Sequence, residues 1–213
     1  MQLYSFCFSS TSYRVRIALS LKGLEYNYNG VNLRAGEQRS ESYIKLNPGK
    51  GVPVLVTDEG EEITQSMAIL NYLEDSFAQP ALLPLDALAK ARVLELCNII
   101  ACDIHPVNNL KVLAYIQGEL GASDQQKDQW YRHWIAEGMQ AVEAHLNKHG
   151  FGSFCFGESP TLADVCLIPQ VTNAVRFNCD MSAYPKAMEI YERCIALPEF
   201  QRAAAANQPD MIN

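Results

Sequence analysis

A chain of 213 residues with 48% apolar side chains is long enough for one large domain or two small ones with packed cores. Its formal net charge of -7, with lysine and arginine scattered rather than gathered into a stripe, argues against a nucleic-acid binder. The seven cysteines are an odd number without Cys-x-x-Cys spacing and read as reduced, mostly buried thiols; no charged-then-apolar leader opens the chain, and no apolar run approaches the ~18 residues of a membrane span, so a cytoplasmic, metal-free protein is expected.

Leu3-Tyr4-Ser5-Phe6 alternates apolar and polar residues as a short strand would. Beyond it, Phe8-Ser9-Ser10-Thr11-Ser12-Tyr13-Arg14 is a hydroxyl-rich turn opening a helix, with Ile17, Leu21 and Leu24 at helical spacing. Ser10 and Ser12 are the expected N-caps, which leaves the Ser9 hydroxyl without a structural duty. A helix N-terminus carries partial positive charge and unused donors, so a bound anion, phosphate or thiolate would be stabilised there. Four hydroxyls that only cap a helix would read the same from these residues alone.

Tyr26 to Leu33 alternates again, and strand, helix, strand within about thirty residues is a βαβ unit with a parallel pair. Arg34 to Leu46 is polar and reads as one short exposed helix with loop around it. Asn47 to Gly51 is a turn, and Val52-Pro53-Val54-Leu55-Val56 an apolar strand whose proline fits an edge or a strand's first residue. Base rates favour a trans Val52–Pro53 bond; a cis bond would turn the Val52 N–H and C=O out of the sheet, toward an extended peptide. Asp58 to Glu61 is a hairpin turn, Glu62-Ile63-Thr64 the returning strand, and Gln65 to Leu73 the start of an apolar helix. Ser66 is expected as its N-cap, beside N–H groups suited to a carboxylate.

Pro80, Pro84 and Asp86 mark a change of composition, dividing a domain over 1–81 from one over 86–213. Periodic segments at 87–104, 107–118, 124–149, 161–176 and 184–195 predict an all-helical second domain, with a last short helix at Ala203 to Ala206. Pro106 should bend or end the first long helix after His105. Thr161-Leu162-Ala163-Asp164 is a capping box with aspartate in place of the usual glutamate.

The run Ser9-Ser10-Thr11-Ser12-Tyr13-Arg14-Val15-Arg16-Ile17-Ala18-Leu19 is similar to the fingerprint of the zeta class of cytosolic glutathione transferases, which includes maleylacetoacetate isomerases. The β-α-β-α-β-β-α order, the Val-Pro strand and the Gln-Ser helix start resemble the same family, from Leu3 to about Pro209. The resemblance implies an α/β thioredoxin-like, glutathione-binding N-terminal domain, an all-α glutathione-transferase C-terminal domain, and a homodimer. It implies glutathione as cofactor and the conversion of maleylacetoacetate to fumarylacetoacetate, with maleylpyruvate isomerisation, or transfer and dehalogenation of small α-halo acids, as alternatives. A non-catalytic module that binds a protein partner would have no need of Ser9, Val52-Pro53, Gln65 and Ser66 together.

By that resemblance Ser9, Ser10 and Thr11 serve catalysis, and Ser9 to Arg14, Ser12 and Tyr13 included, surround the sulfur. Val52 and Pro53 hold the cysteinyl part across a cis bond, Gln65 and Ser66 the γ-glutamyl end, and Gln38 lies by the peptide. Asn108 and His105 reach glutathione or the active site, and Arg176 faces a substrate carboxylate. Three positions depart from the pattern: Phe8 stands where many members carry arginine, Thr11 where some carry cysteine, and Leu110 where the maleylpyruvate branch tends to have arginine. Cys7 has no adjacent cysteine partner and reads as structural. Lowering a thiol pKa from about 8.5 to about 6.5 requires roughly 2.7 kcal/mol. One hydrogen bond to a charged sulfur supplies ~1.5–3 kcal/mol and a helix terminus about 0.3–1 more, so no cationic side chain is needed at the sulfur.

Overall fold

The computed structural model describes residues 1–211, which fall into two compact units: Met1–Leu82 together with the segment from Ile195 onward, and Leu83–Cys194. This differs from the expected division. The residues after Ile195, read as the end of the helical domain, group with the first unit; positions 212 and 213 of that domain lie outside the described residues.

The first unit is a four-stranded sheet in the order β2-β1-β3-β4, formed by β1 (Gln2–Ser5), β2 (Asn27–Gly30), β3 (Val54–Val56) and β4 (Glu62–Thr64). β1 runs parallel to β2, with Leu3 opposite Tyr28, and antiparallel to β3, with Leu3 opposite Leu55. β3 and β4 form the antiparallel hairpin, Leu55 facing Ile63. The parallel pair is what a strand–helix–strand connection produces, the crossover here being α1 (Ser10–Leu21). The polar stretch after β2 holds a 3-10 turn (Glu37–Arg39) and α2 (Glu41–Leu46). Val54, Leu55, Val15, Ile17, Leu19, Ile69, Leu70 and Leu73 are buried, the last three from α3 (Ser66–Ser76). α1 also buries Arg14 and Arg16, and packs on α9 (Pro198–Ala203) as well as on α3.

The second unit is helical: α4 (Ala87–Asn98), a π segment (Ile99–Ile104), a 3-10 turn (Pro106–Asn108), α5 (Leu110–Gly118), α6 (Asp124–His149), α7 (Leu162–Arg176) and α8 (Pro185–Ile195), whose last residue falls in the first unit. The single helix expected over 87–104 is instead underwound into a wider turn before Pro106, where the His105 N–H reaches back five residues to the Ile100 carbonyl at 3.0 Å. Asp164 closes the capping box: its carboxylate accepts from the Thr161 N–H at 2.7 Å and from the Cys155 N–H at 2.9 Å. The last short helix lies at Pro198–Ala203, ahead of the expected position, with a 3-10 turn at Ala205–Asn207. Among the described residues no helix is long and apolar enough to cross a membrane, and no group of His, Cys, Asp and Glu is placed to hold a metal.

Candidate active site

β1 ends at Ser5, and the backbone turns through Phe6, Cys7 and Phe8 before α1 begins. The Ser9 N–H closes this turn on the Phe6 carbonyl at 2.9 Å and leaves Ser9 extended, at φ -78° and ψ 118°. That conformation makes Ser9 the N-cap, its Oγ accepting from the Ser12 N–H at 3.2 Å. The expectation that Ser10 and Ser12 cap the helix, with Ser9 left over, is corrected. Ser10 is the first helical residue, and Ser12 lies fully buried with an Oγ that has no partner.

Counting protons assigns the direction of the neighbouring contacts. Thr11 donates its hydroxyl proton to the Val52 carbonyl at 2.9 Å, and a hydroxyl has only one proton to give. In the 2.9 Å contact between the Ser9 and Thr11 oxygens the donor is therefore Ser9. Two hydroxyls in series thus end on Val52, the residue expected to hold the cysteinyl part of a bound tripeptide. The Val52–Pro53 bond is cis, and Pro53 precedes β3, an interior strand rather than an edge.

A second cluster forms at the start of α3. Gln65 has φ 70°, in the left-handed region that costs a non-glycine residue about 1–3 kcal/mol, and no side chain caps the helix. Ser66 is the first helical residue rather than the N-cap expected, and its Oγ accepts from Arg14 Nη1 at 3.3 Å. Arg14 is 1% exposed, and its Nε and Nη2 have no acceptor. A buried cation with two unused donors, beside the uncapped start of an 11-residue helix, is the chemistry of a carboxylate site. These residues fit the acidic end of a γ-glutamyl peptide.

The other expected residues of this unit are placed as follows. Tyr13 is buried and donates to the Phe200 carbonyl at 3.3 Å, so its hydroxyl serves the packing of α9. Gln38 is half-buried, its amide donating to the Leu33 carbonyl at 3.4 Å while its Oε1 has no partner. Phe8, which stands where many members of the family carry arginine, has the Arg34 guanidinium 4.7 Å from its ring centre. The Cys7 thiol is buried and is pushed up first by that burial and then by the Asp210 carboxylate.

In the helical unit, His105 is half-buried at the end of the π segment. The Asn108 amide donates to the Tyr131 carbonyl at 3.1 Å, which leaves Asn108 Oδ1 buried without a donor. Trp130 donates to the Val107 carbonyl at 2.9 Å, so two adjacent α6 residues hold the turn that bears Asn108, Trp130 by its indole and Tyr131 by its backbone carbonyl. Arg176, the last residue of α7, is exposed and stacks 5.0 Å over Phe177, which in turn packs 4.4 Å from the Tyr131 ring. Tyr131 is thus a shared anchor for the segments bearing Asn108 and Arg176. Sequence reasoning passed over it; the paired aromatics at 130 and 131 were the available signal.

Residues 1–75 match the family described as glutathione S-transferase, N-terminal domain. The chain is 46% identical over 211 residues to the probable maleylacetoacetate isomerase of Vibrio cholerae serotype O1, covering 98% of this chain and 97% of that one. Among solved structures it is similar to a holo maleylpyruvate isomerase described as a bacterial zeta-class glutathione S-transferase, at 42% identity and TM-score 0.96, covering both chains fully. It is similar also to the maleylacetoacetate isomerase of Methylobacterium extorquens AM1 with bound malonate and glutathione, at 34% identity and TM-score 0.96, again over both full chains.

Proposed function

The chain belongs to the zeta class of the glutathione transferases, and from that membership we propose that it is a glutathione-dependent cis–trans isomerase of a maleyl keto acid, maleylacetoacetate first and maleylpyruvate as the alternative. One observation carries the reading. The short helix α1 supplies both halves of a thiol-cofactor site: at its start the Ser9 hydroxyl, and one turn later the Arg14 guanidinium with two unused donors.

Arg14, Ser66 and the start of α3 would hold the carboxylate of glutathione, and the Val52 backbone and Gln38 its peptide. The chemistry that the bound tripeptide supplies is a thiol nucleophile, returned unchanged after the double bond has turned from cis to trans. Ser9 would stabilise the ionised sulfur. Its hydroxyl proton points at the Thr11 oxygen, and rotation about the Cβ–Oγ bond redirects it without moving the backbone. A donor so aimed contributes ~1.5–3 kcal/mol and the α1 terminus about 0.3–1 more. Cys7 competes poorly as a nucleophile, because burial holds its thiol protonated. Arg176 is the cation we assign to a substrate carboxylate, which its fork can grip in bidentate fashion. A cytoplasmic homodimer is the location and assembly that go with this reading.

The test is an isomerase assay of purified protein on maleylacetoacetate and on maleylpyruvate, with and without glutathione. Turnover that requires glutathione and leaves the free thiol concentration constant supports isomerisation, and the faster substrate names the activity. Steady loss of thiol with α-halo acids, without isomerisation, would replace the reading by transfer. Absence of turnover together with failure to bind immobilised glutathione would end it.

A further inference from the structure

Polar groups of the first unit, Arg16 and Ser5 buried and Tyr28 and Asp210 half-buried, close a ring around the turn that carries Ser9. Arg16, fully buried, donates from Nη1 to Ser5 Oγ at 3.0 Å and to the Phe6 carbonyl at 3.2 Å, from Nη2 to the Cys7 carbonyl at 3.0 Å, and from Nε to the Ala203 carbonyl at 2.8 Å. Ser5 hydrogen-bonds the Tyr28 hydroxyl, and Tyr28 donates to Asp210 Oδ1 at 2.6 Å. Asp210 Oδ2 then accepts from the Cys7 N–H at 3.0 Å. The Cys7 peptide groups are thus held from both sides, the carbonyl by a buried cation and the amide by a carboxylate.

The residues between β1 and α1 have no strand partner, so these bonds decide where the turn sits. Ser9 follows two residues later, its N–H on the same Phe6 carbonyl that Arg16 grips. Gly30 permits the arrangement, since a Cβ there would lie 3.2 Å from the Asp210 Cβ. Gln208 ties the chain just before Asp210 to the end of α9, donating to the Arg202 and Ala204 carbonyls at 2.8 and 2.9 Å.

We propose that Asp210 is a positioning residue for thiol activation: by holding the Cys7 amide it fixes the turn from which Ser9 aims its hydroxyl at the cofactor sulfur. The proposal rests on the thiol-site reading above. Positioning and plain electrostatics predict opposite signs, because a nearby carboxylate by itself disfavours a thiolate, so removing it without any change of geometry should ease ionisation.

The experiment is a pH titration of the ultraviolet thiolate absorbance of bound glutathione in wild-type protein, Asp210→Ala, Asp210→Asn and Gly30→Ala, with thermal midpoints recorded beside it. Asparagine keeps an acceptor for the Cys7 amide and alanine does not. The expected result is a thiolate midpoint raised by about one pH unit in Asp210→Ala, a tenfold smaller thiolate fraction at neutral pH, and restored in Asp210→Asn. Gly30→Ala, which crowds Asp210 without altering its charge, should move the midpoint the same way by less, and serves if Asp210→Ala fails to fold. A midpoint unchanged or lowered in Asp210→Ala, or in Gly30→Ala if Asp210→Ala does not fold, overturns the positioning role while the site reading stands. A wild-type protein without any thiolate signal overturns both.

Discussion

One oxygen at Ser9 has two duties, accepting from the Ser12 N–H and donating toward Thr11. Ser9→Ala should therefore cost about 1 kcal/mol of stability through the lost cap. It should also lower turnover by about 10²–10⁴ through the lost donor. Denaturant unfolding and steady-state kinetics on one preparation measure both, and turnover within twofold of wild type, allowing about that for assay scatter, would remove Ser9 from the chemistry. Arg14 makes the converse case. A buried guanidinium with two unused donors weakens the empty fold, so Arg14→Met should leave the thermal midpoint without glutathione equal or higher, and weaken glutathione binding by about 10–100-fold. Calorimetric titration and thermal melts decide it; tight binding retained by the variant would mean the orphan donors face nothing. These residues also show where reading the chain falls short. Any of the hydroxyls from Ser9 to Ser12 could cap a helix, and only the bond from Ser9 N–H to the Phe6 carbonyl decides which one does.

At the scale of elements, the π segment over Ile99–Ile104 is the departure with the largest consequence. Pro106 has no N–H to continue an α-helix, and the backbone before it widens as the chain turns into the segment bearing His105 and Asn108. α6 packs on that segment at Gly138, where a Cβ would lie 2.5 Å from the Ile104 Cδ1 and closer still to its Cγ1. Ile104 is fully buried and has nowhere to swing. Gly138→Ala should therefore destabilise by about 1–3 kcal/mol in urea unfolding. That outcome opposes intrinsic helix propensity, which favours alanine by about 1 kcal/mol. A stabilised variant would show that the two elements separate freely. Periodicity located both helices, but a glycine inside a helical pattern does not announce its close neighbour.

For the whole molecule, the buried thiols and phenols set the response to alkali. Burial pushes up Cys155, Cys194, Tyr28 and Tyr131, and Tyr43 to about 12. In the unfolded chain thiols lose protons near about 8.5 and phenols near about 10, whereas the folded protein keeps them, so it binds more protons over that window. These groups contribute stability that is complete below the unfolded values and is lost as pH rises. Denaturation midpoints should fall from about pH 8 and more steeply above about pH 10, and a flat profile would contradict the burial of these side chains.

What the amino-acid order determined alone are features that rest on near neighbours: the sequence of strands and helices, the change of composition at 80–86, the Asp164 capping box and the hydroxyl-rich start of α1. The tertiary structure alone decided why two arginines on one helix are buried and that the segment after Ile195 returns to the first unit. Tyr13 and Arg16 find their acceptors 187 residues away, on Phe200 and Ala203. The physical reason is that a buried donor must be satisfied, while the acceptor that satisfies it can come from any part of the chain, and spacing along the sequence carries no record of that choice.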